Sequence, residues 1–141
     1  MTQMIFVNLP VANLQTSTTF YEMLGATKNE TFSNETSSSM VISDTITVML
    51  LSHERWRDFT SKQIPDAKQS AQVLLCLSVE SPEACDAAVD AAVKAGGAAD
   101  PTPKQDHGFM YGRSYEDPDG HIWEVMWMDM HAMQKAMAAQ N

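Results

Sequence analysis

The fold of this chain is decided by residues 110–127, which read Met-Tyr-Gly-Arg-Ser-Tyr-Glu-Asp-Pro-Asp-Gly-His-Ile-Trp-Glu-Val-Met-Trp. This stretch predicts two strands joined by a tight turn. Asp117 can bond its own backbone, Pro118 fixes φ at the second turn position, and Gly120 suits a position with positive φ. The flanking Tyr, Trp, Ile and Val residues fit a half-buried pleated surface. One carboxylate, Glu124, lies inside the second apolar strand, where burial is costly without a partner. Glu124 is therefore the first candidate for a functional residue.

The composition limits the classes of function. The chain has 141 residues, 44% of them hydrophobic, which is typical of one globular domain or of two small modules. It has 18 Asp+Glu against 9 Lys+Arg and a net charge of −9, which argues against nucleic-acid and anionic-membrane partners. No apolar run approaches about 18 residues and no leader is evident. We expect a soluble, cytoplasmic protein.

The two cysteines do not predict a disulfide framework. Cys76 falls in an apolar strand and Cys85 in an alanine-rich helix. Free cysteines are among the most buried residues, so both are expected to be reduced core thiols. The absence of a CxxC motif disfavours a cysteine zinc site or a redox pair.

The first half of the chain predicts one strand, one helix and three further strands. The helix is expected to begin after Asn13 as its N-cap and to end at Gly25. We place the strands at residues 4–11, 27–33, 38–43 and 46–51, the helix from its cap at Asn13 to about Leu24, and a polar, helix-compatible stretch at 53–62.

The same order restarts after a linker candidate at residues 65–70. Its elements are a strand at 72–79, a helix at 82–95, a short strand at 98–101 and the hairpin at 109–128. Asn8-Leu9-Pro10-Val11 matches Cys76-Leu77-Ser78-Val79 with an offset of 68. Such a repeat indicates an internal duplication. We therefore predict an α+β fold of two tandem βαβββ modules, residues 1–65 and 66–128, followed by a Met-rich helical tail at 129–141.

The chain resembles the vicinal oxygen chelate superfamily, which includes glyoxalase I, bleomycin and fosfomycin resistance proteins and extradiol dioxygenases. The resemblance covers about residues 4–128 and is carried by the duplication and three pieces of sequence: Val7-Asn8-Leu9-Pro10-Val11, Phe20-Tyr21 with Leu24-Gly25, and Glu116-Asp117-Pro118-Asp119-Gly120 with Glu124. It implies mixed sheets curled around a central cup. It also implies a homodimer, because many members are homodimers.

In the metal-using members four ligands line that cup, two from the first and two from the last strands of the modules. Glu124 matches the last-strand glutamate of the second module. The first-strand positions fall on Phe6 and Leu74, and the remaining one falls on Leu50, or on Met49 if the alignment is one residue out. Glu124 is thus the only matched ligand position, so no metal or other cofactor is predicted.

Other residues offer little replacement for the missing ligands. A divalent ion in an oxygen and nitrogen site needs three or more converging donors. Asn8 shares a strand face with Phe6, but its amide is a weak ligand. His121 is three residues before Glu124 and so faces the other way. His107 could contribute only if its loop folds over the cup.

Glu124 itself has two interpretations. One is a structural ion pair, for which Arg113 on the adjacent strand is the natural partner. The other is a general base or ligand-orienting group in an apolar cup. The predicted ligand-binding cup contains Phe6, Asn8, Leu50, Leu74, Cys76, Arg113, Ile122, Glu124 and Met126. For Tyr111, Tyr115, Trp123 and Trp127 core packing is the simpler interpretation, although some could line the cup.

Three functions follow from this site. The first is a metal-free binder of a small organic molecule, for which one carboxylate in an apolar cup favours a cationic or amphipathic ligand. The second is a metal-dependent lyase, epimerase or dioxygenase with a site rebuilt around Glu124. The third is a non-catalytic dimeric scaffold. A shared fold does not separate them, because one fold can host many activities.

Overall fold

The chain folds into two compact units. The computed structural model describes residues 1–140, and these divide into Met1–Ser70 and the residues from Ala71 onward. Each unit contains one mixed β-sheet with a helix on one side. The predicted α+β class with two βαβββ modules is confirmed.

The sheet of the first unit contains one parallel strand pair. Its sheet has the order β1-β4-β3-β2, in which β1 and β4 are parallel and the other neighbours antiparallel. Asn13 caps the first helix by accepting a hydrogen bond from the Thr16 N–H, as predicted. The elements are β1 (Ile5–Val11), α1 (Leu14–Met23), β2 (Thr27–Lys28), β3 (Ser37–Val41), β4 (Ile46–Ser52) and α2 (His53–Trp56).

Two predicted elements of the first unit are shorter than expected. The strand predicted at 27–33 ends at Lys28 and is followed by a 3-10 turn, Glu30–Phe32. Asn29 begins that turn, because its side chain accepts a hydrogen bond from the Thr31 N–H at 3.1 Å. Helix α2 likewise ends at Trp56, well before residue 62.

The second unit repeats this arrangement. Its sheet has the order β5-β9-β8-β6, with β5 parallel to β9 and a short strand, β7, paired to β8. Strand β7 was not predicted, because Gln105 and Asp106 carry no apolar alternation. The elements are β5 (Leu75–Ser78), α3 (Pro82–Lys94), β6 (Ala98–Ala99), β7 (Gln105–Asp106), β8 (Met110–Glu116), β9 (Ile122–Met128) and α4 (Met130–Ala139). None of the helices within residues 1–140 combines the length and apolar character needed to cross a membrane.

Each sheet has a helix face, which packs against its own helix, and an opposite face, here called the far face. In the first unit the Thr18 Oγ1 of α1 lies 2.7 Å from the Ser38 Oγ of β3, which identifies the helix face. Ser38 pairs with Leu50, and Leu50 pairs with Leu9. Because side chains alternate along a strand, Phe6, Asn8 and Met49 belong to the far face.

Helix α3 identifies the helix face of the second sheet. Its Cys85 thiol lies 3.6 Å from the Val125 carbonyl oxygen, and its Asp86 accepts a hydrogen bond from the Tyr111 hydroxyl at 2.7 Å. Val125 pairs with Arg113 across β9 and β8. The even-numbered residues of these strands therefore belong to the far face, and Glu124 is one of them.

The β8–β9 turn is built around the Asp117 carboxylate. Asp117 is buried, and its Oδ1 accepts hydrogen bonds from the N–H groups of Asp119, Gly120 and His121 at 3.0, 3.0 and 2.9 Å. Gly120 has φ of +103°. Both observations confirm the predicted turn, which fixes the register of β9 and hence the position of Glu124.

Candidate ligand-binding site of the second unit

A pocket of about 120 Å³ lies in the second unit. Its floor comes from three neighbouring strands, β5, β9 and β8, and its side comes from the segment between β6 and β7. The residues that matter for its chemistry are Cys76, Thr102, Gln105, Gly112, Glu124 and Met126. With Met110 and Arg113, which also line it, the pocket has one carboxylate, one guanidinium, one thiol, two thioethers and two neutral polar side chains.

The Glu124 carboxylate makes no hydrogen bond or ion pair with any other residue in the described part of the chain. Its cross-strand neighbours are Ser114 on β8 and Cys76 on β5. Partial burial, followed by the charge of Glu124, raises the pKa of the Cys76 thiol above its ordinary value. Cys76 is therefore a neutral thiol near neutral pH and lies beside the Glu124 carboxylate.

Several predicted cup residues lie together in the second unit. Cys76, Glu124 and Met126 line the pocket, and Ile122 shares the far face of β9 by alternation. Cys76 is exposed, so the expectation that it is a core thiol is wrong, whereas Cys85 is buried as expected. Leu74 immediately precedes β5 and is 52% exposed.

The predicted cup residues of the first unit are divided between the two faces of its sheet. Phe6, which is 56% exposed, lies on the far face with Asn8. Leu50 is fully buried and pairs with Leu9 on the helix face, so it does not share a face with Phe6.

Strand register decides which residue of β4 corresponds to Glu124. Cys76 pairs with Glu124, and Asn8, its equivalent at an offset of 68, pairs with Met49. Met49 is therefore the equivalent of Glu124. Leu50 corresponds instead to Val125, which is also buried.

Arg113 is not the partner of Glu124. Although Arg113 borders the pocket, its guanidinium donates hydrogen bonds to Asp100 at 3.2 and 2.8 Å and to Asp86 at 3.0 Å. Arg113 pairs with Val125 and so projects from the helix face, whereas Glu124 lies on the far face. The predicted Arg113–Glu124 ion pair is wrong for this geometric reason.

Four aromatic residues of β8 and β9 belong to the face of the sheet opposite Glu124. Tyr115 and Trp123 are buried on the helix face. Tyr111 and Trp127 pair with each other and, because side chains alternate, belong to the same face. The prediction of core packing is thus confirmed for Tyr115 and Trp123. His107 is exposed, and its Nε2 lies 3.0 Å from the Gln105 Oε1.

Sequence reasoning missed the polar residues that hold the pocket wall. Thr102 lines the pocket and bonds to the Ser114 hydroxyl, while Asp86 and Asp100 bind Arg113. No motif marks these residues, since Thr102 lies in an irregular segment and Asp86 is one of several acids on α3. Only the pairing of strands and the position of α3 bring them together.

The residues at the four family ligand positions do not fit a divalent metal. They are Phe6, Met49, Leu74 and Glu124. Phenylalanine and leucine offer no donor atom, and a thioether is a soft ligand whereas a carboxylate is a hard one. Within residues 1–140 no group of three or more His, Cys, Asp or Glu residues could hold a metal ion.

The family is identified by a sequence comparison. The model of the Glyoxalase/Bleomycin resistance protein/Dioxygenase superfamily matches residues 3–125. The chain therefore belongs to this superfamily, in agreement with the resemblance found in its motifs. No curated protein matches the chain.

Solved structures show the same fold. A hypothetical protein from S. aureus is 25% identical, with a TM-score of 0.74 over 90% of this chain and 94% of that one. A glyoxalase/bleomycin resistance protein/dioxygenase family enzyme from Burkholderia phytofirmans PsJN is 17% identical, with a TM-score of 0.72 over 90% and 99% of the two chains. A genomically encoded fosfomycin resistance protein from Listeria monocytogenes is 17% identical, with a TM-score of 0.63 over 90% and 91%.

Proposed function

We propose that this protein binds a small organic molecule in the pocket beside Glu124, without the help of a metal ion. The observation that carries the proposal is the Glu124 carboxylate, which lines a pocket and has no polar partner within residues 1–140. The side chain is half-buried, and no buried side-chain oxygen among residues 1–140 lacks a hydrogen-bond partner, so water reaches this carboxylate when no ligand is bound. A ligand that donates a hydrogen bond or carries a positive charge would supply that partner.

The charges around the pocket favour a cationic or amphipathic ligand. Arg113 is the basic residue that borders the pocket, but both edges of its guanidinium are bound by Asp86 and Asp100. The Cys76 thiol is neutral near neutral pH, since its ordinary pKa is 9.0 and partial burial raises it further. Glu124 therefore has no ion-pair partner among residues 1–140. The methylene and sulfur groups of Met126 offer a surface for an apolar part of the ligand.

The volume of the pocket limits the ligand. Pockets for drug-sized ligands usually have about 300 Å³ or more, and this one has about 120 Å³. It suits a small amine or one end of a larger molecule. The same small volume is the observation that favours the alternative of a non-catalytic dimeric scaffold.

A thermal-shift screen of small amines and amphipathic cations tests the proposal. Ligands that raise the melting temperature of the wild-type protein are expected to lose that effect in Glu124→Gln. Glu22→Gln is the matched control, because Glu22 is exposed on α1 and lies outside the pocket. Equal stabilisation of wild type and Glu124→Gln by every hit would refute binding at this carboxylate.

Elemental analysis distinguishes the metal-dependent alternative. We expect no stoichiometric divalent metal in untagged protein after a mild chelator. One retained ion per chain that is lost in Glu124→Ala would instead support a lyase, epimerase or dioxygenase with a rebuilt site. If no metal and no ligand bind, the scaffold is the better description.

The homodimer and the cytoplasmic location stay predictions. The dimer is suggested by the superfamily, and the location by the acidic composition and the two free cysteines.

A further inference from the structure

We propose that residues 100–106, here called the strap, set the size of the molecule that reaches Glu124, and that Thr102 and Ser114 are the positioning residues that hold the strap in place. The inference rests on the proposed function, since it concerns the wall of the same pocket. It adds a determinant of ligand size, for which no motif in the sequence gave a signal.

The strap is fixed at its centre by a single buried hydroxyl. The Ser114 side chain is fully buried, and its Oγ accepts hydrogen bonds from the Thr102 N–H at 3.0 Å and from the Thr102 hydroxyl at 2.7 Å. The same Oγ donates to the Thr102 carbonyl oxygen at 3.3 Å. A serine hydroxyl has one donor and two acceptor sites, so Thr102 alone saturates it.

The hydrogen-bonded pair Ser114–Thr102, here called the clamp, lies next to the proposed ligand-binding carboxylate. Ser114 and Glu124 are directly paired across β8 and β9, and both belong to the far face. Paired side chains in an antiparallel sheet are about 5 Å apart at Cβ. Thr102, Pro103 and Gln105 line the same pocket as Glu124. The clamp therefore holds the strap over the strand positions beside the carboxylate.

Both ends of the strap are held as well. At its start, the Asp100 carboxylate binds the Arg113 guanidinium and the Asp100 N–H donates to the Ser114 carbonyl oxygen at 2.9 Å. Asp100 has φ of +54°, in the left-handed region that aspartate adopts more readily than most residues other than glycine. At its end, Gln105 pairs with Gly112 of β8. With both ends fixed, the central clamp determines how far the strap can lift.

Two substitutions release the clamp to different degrees. Thr102→Val keeps the shape of the side chain but removes the hydroxyl that bonds to Ser114. Ser114→Ala removes all three hydrogen bonds and leaves the Thr102 hydroxyl and backbone groups without their partner. Both changes are expected to widen the pocket, with the larger effect in Ser114→Ala.

Thiol labelling measures the opening without a ligand. Cys76 lines the pocket and is exposed, whereas Cys85 is buried. The rates of Cys76 alkylation by iodoacetamide and by a bulky fluorescein maleimide are measured by mass spectrometry. We expect the ratio of the bulky to the small rate to rise several-fold in Thr102→Val and Ser114→Ala. Thr102→Ser, which restores the hydroxyl, is expected to return the ratio to the wild-type value.

The controls separate strap opening from unfolding. Thr27→Val makes the same change at an exposed position of β2 and should leave the ratio unchanged. Labelling of Cys85 reports unfolding. If Cys85 is labelled in Ser114→Ala, the effect of strap opening is judged from Thr102→Val alone. An unchanged ratio in Thr102→Val with Cys85 protected would overturn the inference. That result would leave ligand binding at Glu124 unaffected, because the assay uses no ligand.

Discussion

At Glu124, strand pairing decides which neighbours the carboxylate has. The two residues beside it in space are Ser114 and Cys76, whereas Arg113 lies one position away on β8 and projects to the other face. A shift of one residue moves a side chain to the opposite side of a sheet. The same rule selects Met49 over Leu50 in the first unit. The partner of Glu124 on β8 and the choice between Met49 and Leu50 both depend on the register between paired strands. That register becomes known only when both strands are placed.

The buried Asp117 carboxylate is expected to contribute strongly to stability. It accepts hydrogen bonds from three backbone N–H groups of the β8–β9 turn. Asp117→Ala removes those acceptors, so we predict a loss of roughly 2 kcal/mol or more in the free energy of unfolding. Urea denaturation measures it. Asp44→Ala, at an exposed turn, should change stability by less than about 0.5 kcal/mol. Equal effects at the two sites would contradict this role.

Gly112 offers a way to fill the pocket without damaging the fold. A Cβ at this position would meet no atom closer than 3.6 Å, the Val125 carbonyl oxygen, so alanine fits. We expect Gly112→Ala to raise stability by about 0.4–1 kcal/mol, because alanine restricts the unfolded chain. We also expect weaker ligand stabilisation, since the new methyl group projects into the pocket. Melting temperatures with and without a screening hit test both effects, and undiminished ligand stabilisation would argue against binding here.

At the scale of elements, Arg113 connects three parts of the second unit. Its guanidinium, on β8, binds Asp86 of α3 and Asp100 of the strap, and its side chain is only 11% exposed. Hydrogen bonds from Tyr111 and then Arg113 lower the pKa of Asp86 below its ordinary value of 3.8. A hydrogen bond from Arg113 is the largest cause that lowers the pKa of Asp100. Because both pKa values are lower in the folded state, their contribution to stability is present above the ordinary carboxyl pKa and is lost as the pH falls through the folded values.

Arg113→Met should therefore reduce stability in a pH-dependent manner. Near neutral pH both carboxylates are charged and lose their partner, so the variant is expected to be less stable than wild type. Below the ordinary carboxyl pKa the difference should shrink as Asp86 and Asp100 become protonated. Urea denaturation across this pH range measures it, with Arg57→Met as the control at an exposed position. A difference in unfolding free energy between variant and wild type that stays constant with pH would contradict a stabilising role of the Arg113 ion pairs.

The order of elements could be predicted from the sequence, but several lengths could not. The hairpin, the cap at Asn13 and the repeat are local signals, and all are present in the structure. The segment 29–33 was misassigned because the Asn29 side chain begins a turn inside an otherwise strand-like stretch. The strap gave no signal, because what orders it is its contact with Ser114 and Arg113, which are distant in sequence.

At the scale of the whole molecule, the exposed apolar side chains of Phe6 and Leu74 are consistent with self-association. These residues are equivalent at an offset of 68 and are 56% and 52% exposed. Each lies next to a further exposed apolar residue of its own unit, Ile5 and Val73 respectively, and contiguous exposed apolar side chains often mark interaction surfaces. We predict a homodimer in sedimentation-velocity experiments and a weaker one in the Phe6→Ser and Leu74→Ser variants. Phe59→Ser, at an exposed position after α2, is the control. A wild-type monomer at all concentrations would contradict the prediction.

The central claim, direct binding of a small organic molecule at Glu124, is tested most directly by amide NMR. The measurement is a titration of the isotope-labelled protein with a small amine from the thermal-shift screen, in the presence of a chelator. We expect shifts concentrated at Cys76, Gly112, Glu124 and Met126 that persist with the chelator. Shifts centred elsewhere on the chain, or shifts abolished by the chelator, would contradict this claim.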